Sequence, residues 1–253
     1  MNLDGKVVLV TGASSGIGAS AAEAFAKYGS KVVLVGRNVA NLKATEAACK
    51  AANGKAELLP ITADVTVDAE RIINSTIERF GQLDVLVNNA GILETGNLLD
   101  INVEQFDRVL NTNLRSVFLI TKYAAPHLIK TQGNIVNVSS LAGLRSFPGG
   151  SVYCMSKGAL DQFTRCIALE WASKGVRVNS VNPGSIITNI HRNFTPEERI
   201  AHYKHSKTTY PMERVGEPKE VVDAIIFFAS DQSSFITGAT LPIDGGKHAL
   251  CPR

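Results

Sequence analysis

Seven short apolar runs recur along the chain, and the stretches between them carry helical spacing. This alternation restricts the fold more than any other feature of the sequence. The runs are 6–11 (KVVLVT), 31–36 (KVVLVG), 56–62 (AELLPIT), 83–89 (LDVLVNN), 133–139 (GNIVNVS), 176–182 (VRVNSVN) and 239–244 (ATLPID). Most are apolar at successive positions rather than at every second one, as strands buried on both faces are. Helices are expected over 16–28, 38–52, 66–80, 103–128, 152–173 and 218–229; in the first, Ile17, Ala21, Phe25 and Tyr28 fall near a 3.6-residue period. Alternation kept up from end to end predicts a single α/β domain over 1–253, Rossmann-like and doubly wound, with a seven-stranded parallel sheet and helices on both faces. The one long irregular stretch, about 184–216, reads as a substrate loop.

Composition excludes several classes of function. A net charge of +3 over 253 residues, without a basic run, gives nothing for nucleic acid or an anionic membrane to follow. No apolar stretch approaches the ~18 residues of a membrane span. The start, MNLDGKVVLV, enters a strand directly and has no secretory h-region; Cys49, Cys154, Cys166 and Cys251 are scattered. A cytoplasmic protein with free thiols is expected. His202 and His205 are three apart, but no further ligand cluster accompanies them, so a solvated loop and no metal are expected there.

The first run ends in TGASSGIG, which places Gly12, Ser14, Ser15, Gly16, Ile17 and Gly18 between a strand and an amphipathic helix. Glycines at that junction let the backbone approach a pyrophosphate, and the helix N-terminus presents free N–H groups to it. In such a unit an acid about 20 residues on holds the ribose 2′-hydroxyl of NAD, whereas an arginine suits the 2′-phosphate of NADP. Here Gly36 occupies the acid's place and Arg37 and Asn38 follow it. NADP(H) is therefore the expected cofactor.

The GxxxGxG spacing of this turn, NNAG at 88–91, YxxxK at 153–157 and NPG at 182–184 occur in order over essentially the full chain. Together they are similar to the short, single-domain branch of the short-chain dehydrogenase/reductase family. The resemblance implies hydride transfer between NADP(H) and a carbonyl or secondary alcohol. It places Asp64 and Val65 against the adenine, and Asn89, Ala90 and Gly91 against its ribose. Pro183, Gly184, Ile186 and Thr188 are implied at the nicotinamide end.

The same resemblance implies four catalytic groups: Asn113, Ser140, Tyr153 and Lys157. Tyr153 is implied as general acid in reduction and general base in oxidation. Lys157, four residues on and so on the same helix face, is expected to lower the phenol's pKa from near 10 and to bond the nicotinamide ribose. NVSS offers two serines, of which strand alternation allows one to face the pocket; the family interval to the tyrosine selects Ser140 over Ser139 as the donor to the substrate oxygen. Asn113, with Asn111 as its competitor, is expected to help hold a water beside the lysine. Ile92, Leu93, Leu141, Ala142 and Phe147 make the expected substrate pocket apolar, which leans towards an uncharged small-molecule carbonyl. Arg145 and Arg192 keep a 3-oxoacyl thioester as an alternative. An NADPH-binding sensor or scaffold without catalysis is the alternative from another class. The resemblance implies a homotetramer or dimer, and the tail KHALCPR is a candidate cover for a neighbouring subunit's pocket.

Overall fold

The computed structural model describes residues 2–251. Seven strands form one all-parallel sheet: β1 (Val7–Thr11), β2 (Lys31–Gly36), β3 (Leu58–Thr62), β4 (Val85–Asn88), β5 (Asn134–Val138), β6 (Arg177–Pro183) and β7 (Thr240–Ile243). Their order is β3-β2-β1-β4-β5-β6-β7. The chain thus winds outward from β1, returns to lay β4 on its other side, and opens a crevice beyond the carboxyl ends of β1 and β4.

Alternation along the strands explains the two cores. Val8 and Val10 of β1 and Val32 and Leu34 of β2 face one layer of helices, α1 (Gly16–Lys27), α2 (Val39–Ala52) and α8 (Pro218–Ala229), where Phe25, Leu42, Ile225 and Phe228 are buried. Val7, Leu9, Val33 and Val35 face the other layer, α3 (Ala69–Phe80), α5 (Ser116–Thr131) and α6 (Ser151–Trp171), with Ile72, Ile73, Ile120, Leu128 and Trp171. A strand apolar on both sides is what two such layers require.

Two features depart from the sequence expectation. The helix expected over 103–128 is α4 (Val103–Leu110), a π-helical turn over Asn111–Arg115, and α5. The segment 184–216 is not irregular throughout: α7 spans Pro196–Thr209 within it. Thr195 accepts from the Glu198 amide, Glu198 accepts in return from the Thr195 amide, and Pro196 opens the helix. This capping box was legible as TPEE. α7 is mostly polar, so no apolar period announced it. Among the described residues no helix is long and apolar enough to cross a membrane.

Candidate active site

A cavity of about 1460 Å³ lies over the carboxyl ends of the strands. It runs from the turn after β1, past the ends of β2 and β4, to α6 and the loop after β6. Of the residues expected to hold cofactor, all line it except Gly18 and Asn113.

The glycine turn is built for close approach. Gly12 has φ +66°, and a Cβ there would lie 2.8 Å from Asn89 Nδ2 and 2.9 Å from Ala90 Cα. Gly16 has φ +56°, and its missing Cβ would meet Thr188 at 3.1 Å. Gly18 has a different part: its Cβ would fall 2.4 Å from Asn89 Nδ2 and from the Gly12 carbonyl, so it lets α1 pack on β1. Asn89 Nδ2 donates to the carbonyls of Thr11 (2.8 Å) and Gly12 (3.3 Å), tying the ends of β1 and β4 together. The cradle these residues form, open to the α1 N-terminus, fits a dinucleotide pyrophosphate.

At the end of β2 the Arg37 side chain is exposed and lies 3.4 Å from Asp64 Oδ2. Burial pushes the Asp64 carboxyl up, but the amide and hydroxyl of Thr66 and the Arg37 guanidinium more than offset this and hold it below the usual carboxylate range. Gly36 leaves room for Ser14, whose Cβ and Oγ would be 3.1 Å from any Cβ at position 36. No acid fits at 36 without displacing Ser14.

Ser140, Tyr153 and Lys157 meet at the other end of the cavity. The Ser140 hydroxyl accepts from the Ala142 amide at 3.1 Å, which leaves its own proton free to donate. Ser139 points away: it is buried and its Oγ donates to the Lys157 carbonyl at 3.3 Å. Lys157 is 4% exposed and its Nζ donates to the Val138 carbonyl at 2.9 Å. Burial pushes the lysine down to about 8, with the Asp161 carboxylate pulling it back up. The phenol of Tyr153 is raised above its ordinary value by burial, against the pull of a hydrogen bond with Ser140. The expected lowering by Lys157 is thus not what this arrangement gives. The ammonium faces the Tyr153 ring, 5.9 Å from its centroid, and is bonded to a strand carbonyl.

Asn113 lies beneath the cavity floor rather than on its surface. It is fully buried in the π turn and does not line the cavity. Its Oδ1 accepts from the Ile92 amide (2.8 Å), and its Nδ2 donates to the Ile92 carbonyl (2.9 Å) and to Ser156 Oγ (3.1 Å). The side chain clamps the segment after Gly91 onto α6. A π turn gives this one residue its inward aim without breaking the helix, and such turns recur at functional sites.

Sequence reasoning missed the wall made by α7. His202 is not in a solvated loop; it is half-buried on α7, lies 4.3 Å ring to ring from His191, and its Nε2 is 3.1 Å from Ser185 Oγ. Tyr210 donates to Ser185 Oγ at 3.0 Å and accepts from the Ser185 amide at 2.7 Å. These contacts anchor α7 to the turn after Gly184. Burial, with His202 and Arg199 nearby, pushes His191 down to about 4, so it is neutral at pH 7. Among the described residues no group of three or more His, Cys, Asp or Glu is placed to hold a metal ion. Of the tail, Lys247, Leu250 and Cys251 line the mouth of the chain's own cavity, and Pro252 and Arg253 lie outside the described residues. Arg145 clamps the tail by donating from Nε to the His248 carbonyl at 3.1 Å.

The open α/β sheet, the glycine cradle at its switch point and a Ser–Tyr–Lys group beside it define a nicotinamide-dependent oxidoreductase of Rossmann type. Residues 12–248 match the family model described as enoyl-(acyl carrier protein) reductase. The chain is 42% identical to an uncharacterized oxidoreductase of Thermotoga maritima, over 99% of this chain and 100% of that one. It is 37% identical to meso-2,3-butanediol dehydrogenase of Serratia marcescens, over 98% and 97%. The crystal structure of levodione reductase superposes with a TM-score of 0.93 at 32% identity, over 97% of this chain and 98% of that one. The chain belongs to the short-chain dehydrogenase/reductase family, whose members act on CH–OH and C=O groups with NAD(P)(H).

Proposed function

We propose that this chain reduces an uncharged ketone or aldehyde with NADPH, and oxidises the matching alcohol with NADP. The observation that carries the reading is the convergence of Ser140, Tyr153 and Lys157 on the cavity that also holds the glycine cradle. When bound, the nicotinamide supplies or accepts the hydride. The protein's part is to place the carbonyl and to move a proton. Ser140, whose hydroxyl proton is turned to Tyr153, donates it to the carbonyl oxygen once substrate is bound. Tyr153 gives that oxygen a proton in reduction and takes it back in oxidation. Lys157, charged below about pH 8, favours negative charge developing on the phenol oxygen once substrate and cofactor fill the cavity. Asn113 acts by positioning the Gly91–Ile92 segment.

The preference for NADP(H) rests on Arg37. Only one of its N–H groups faces Asp64, at 3.4 Å, and the rest of the fork is free for a 2′-phosphate. An uncharged substrate is supported by the apolar lining at Ile92, Leu93, Leu141 and Phe147, and by the butanediol and levodione named in the relatives. Exposed Arg192, which lines the same cavity, favours a second reading, a 3-oxoacyl thioester. Assembly as a homotetramer or dimer belongs to the proposal, supported by exposed Phe118 on α5, Leu169 on α6 and Phe235.

NADPH consumption against small diketones, cyclic ketones, open-chain sugars and 3-oxoacyl thioesters tests the reading. Turnover of uncharged carbonyls supports it, turnover confined to thioesters selects the second reading, and tight NADPH binding with no turnover supports a sensor.

A further inference from the structure

The centre of the molecule holds a buried acid that the reaction above does not use. Asp161 lies one turn beyond Lys157 and two beyond Tyr153, on the same face of α6. It is 1% exposed, and among the described residues no cation lies within ion-pair distance of it. A buried charge of this kind persists only when neighbouring groups satisfy its oxygens.

The groups that do so come from the site itself. Asn182, in the NPG segment at the end of β6, places its Nδ2 3.1 and 2.9 Å from the two carboxylate oxygens. The same Nδ2 donates to the Ser140 carbonyl at 3.0 Å. Its two protons suffice, one for Ser140 and one shared by the carboxylate. Ser180 Oγ stands 3.2 Å from Asp161 Oδ1 and 3.0 Å from Asn182 Oδ1. The turn after Ser140 closes on the carboxylate: a Cβ on Gly143 would lie 2.3 Å from Asp161 Oδ2, so no other residue fits there. The Ser140 carbonyl also accepts from the Gly143 amide at 2.9 Å.

We propose that Asp161 is a positioning residue for hydride transfer: through Asn182 it fixes Ser140 relative to the helix carrying Tyr153 and Lys157. One turn from Lys157 on the same face of α6, its carboxylate also favours the charged form of that lysine. The inference rests on the function proposed above for those three residues. The titratable and charged groups around the pair are Tyr153, Cys154 and Arg165 on α6. β5 presents the Val138 carbonyl, the residue after it is Ser139, β6 presents Ser180 and Asn182, and the π turn presents Asn113, none of which titrates. Burial raises the Asp161 carboxyl while Ser139, Asn182, Ser180 and Arg165 hold it down.

Asp161→Asn keeps the shape and removes the charge. Lys157 then loses its proton at lower pH, so kcat/KM for carbonyl reduction falls about tenfold at pH 8.5 and about threefold or less at pH 6. The Lys157 ε-CH₂ resonance in lysine-labelled protein, assigned with Lys157→Arg, titrates at lower pH in Asp161→Asn without substrate or cofactor. Superimposable pH profiles and lysine titrations, with only a loss of Tm, overturn the proposal. Should Asp161→Asn fail to fold, Ser180→Ala removes a donor and keeps the acid: the acid limb of kcat/KM moves to higher pH, and an unmoved limb overturns the proposal. Wild-type protein inert towards every carbonyl would defeat the proposed function, while the lysine titration still decides the role of Asp161.

Discussion

Lys157 Nζ donates to the Val138 carbonyl at 2.9 Å, so the ammonium on α6 is fastened to the end of β5, next to the strand residues that lead to Ser140. Helix α6 carries Tyr153 and Lys157, and the short connection leaving β5 carries Ser140, so the three meet at one place in the cavity.

Burying Lys157 has a stability consequence with a definite sign. Its folded value, about 8, is below the 10.5 of a free lysine. Between those values the unfolded chain binds more protons, so this group makes stability rise with pH from about 8 to 10.5. Below pH 8 the full penalty is present, on the order of 3 kcal/mol. Lys157→Met should flatten the Tm–pH curve across that window. A mutant curve that rises as the wild type does would contradict the buried, depressed lysine.

The two adjacent serines should separate by the kind of damage they cause. Ser140→Ala removes a donor at the cavity and should cost about 10²-fold in kcat, with Tm nearly unchanged. Ser139→Ala removes a buried bond to the Lys157 carbonyl and should cost about 1 kcal/mol of stability, with kcat within a few-fold. Urea melts and initial rates on the two purified variants make the comparison.

Arg37→Leu should raise KM for NADPH by about tenfold or more, from loss of a charge-assisted pair, and leave KM for NADH little changed. Reversal of preference needs Gly36→Asp as well, and the crowding of Ser14 against position 36 means Ser14→Gly should improve that double variant. A wild-type kcat/KM already favouring NADH would remove the basis for this prediction.

The tail should matter to substrate more than to cofactor. Arg145→Ala releases the His248 carbonyl and frees a segment whose Leu250 and Cys251 line the mouth of the cavity. KM for the carbonyl should change several-fold while the NADPH dissociation constant stays within twofold. Equal effects on both would place the tail's action elsewhere.

The strands and most helices were legible because their burial is two-sided and periodic: 31–36 and 218–229 were read to the residue. The site was legible where a motif ties a residue type to a backbone need, as at Gly12 and Gly16, or where helix geometry pairs positions, as at Tyr153 and Lys157. Other features were not legible, for physical reasons. α7 has no apolar stripe, and His202 is held by ring packing and Ser185, contacts between segments 17 residues apart. Asn113 could be chosen as a residue, but the direction of its side chain depends on a π turn that no spacing reveals. The sign at Tyr153 depended on how deep the phenol lies and on where the lysine's hydrogen bond goes.

The central claim is that the Tyr153 hydroxyl carries the proton. Its most direct test is Tyr153→Phe, with kcat measured on the best carbonyl of the panel and NADPH binding followed by nucleotide fluorescence. The account predicts a fall in kcat of at least about 10²-fold, with the NADPH dissociation constant within a few-fold of wild type. A variant that binds NADPH normally and turns over at near wild-type rate would contradict it.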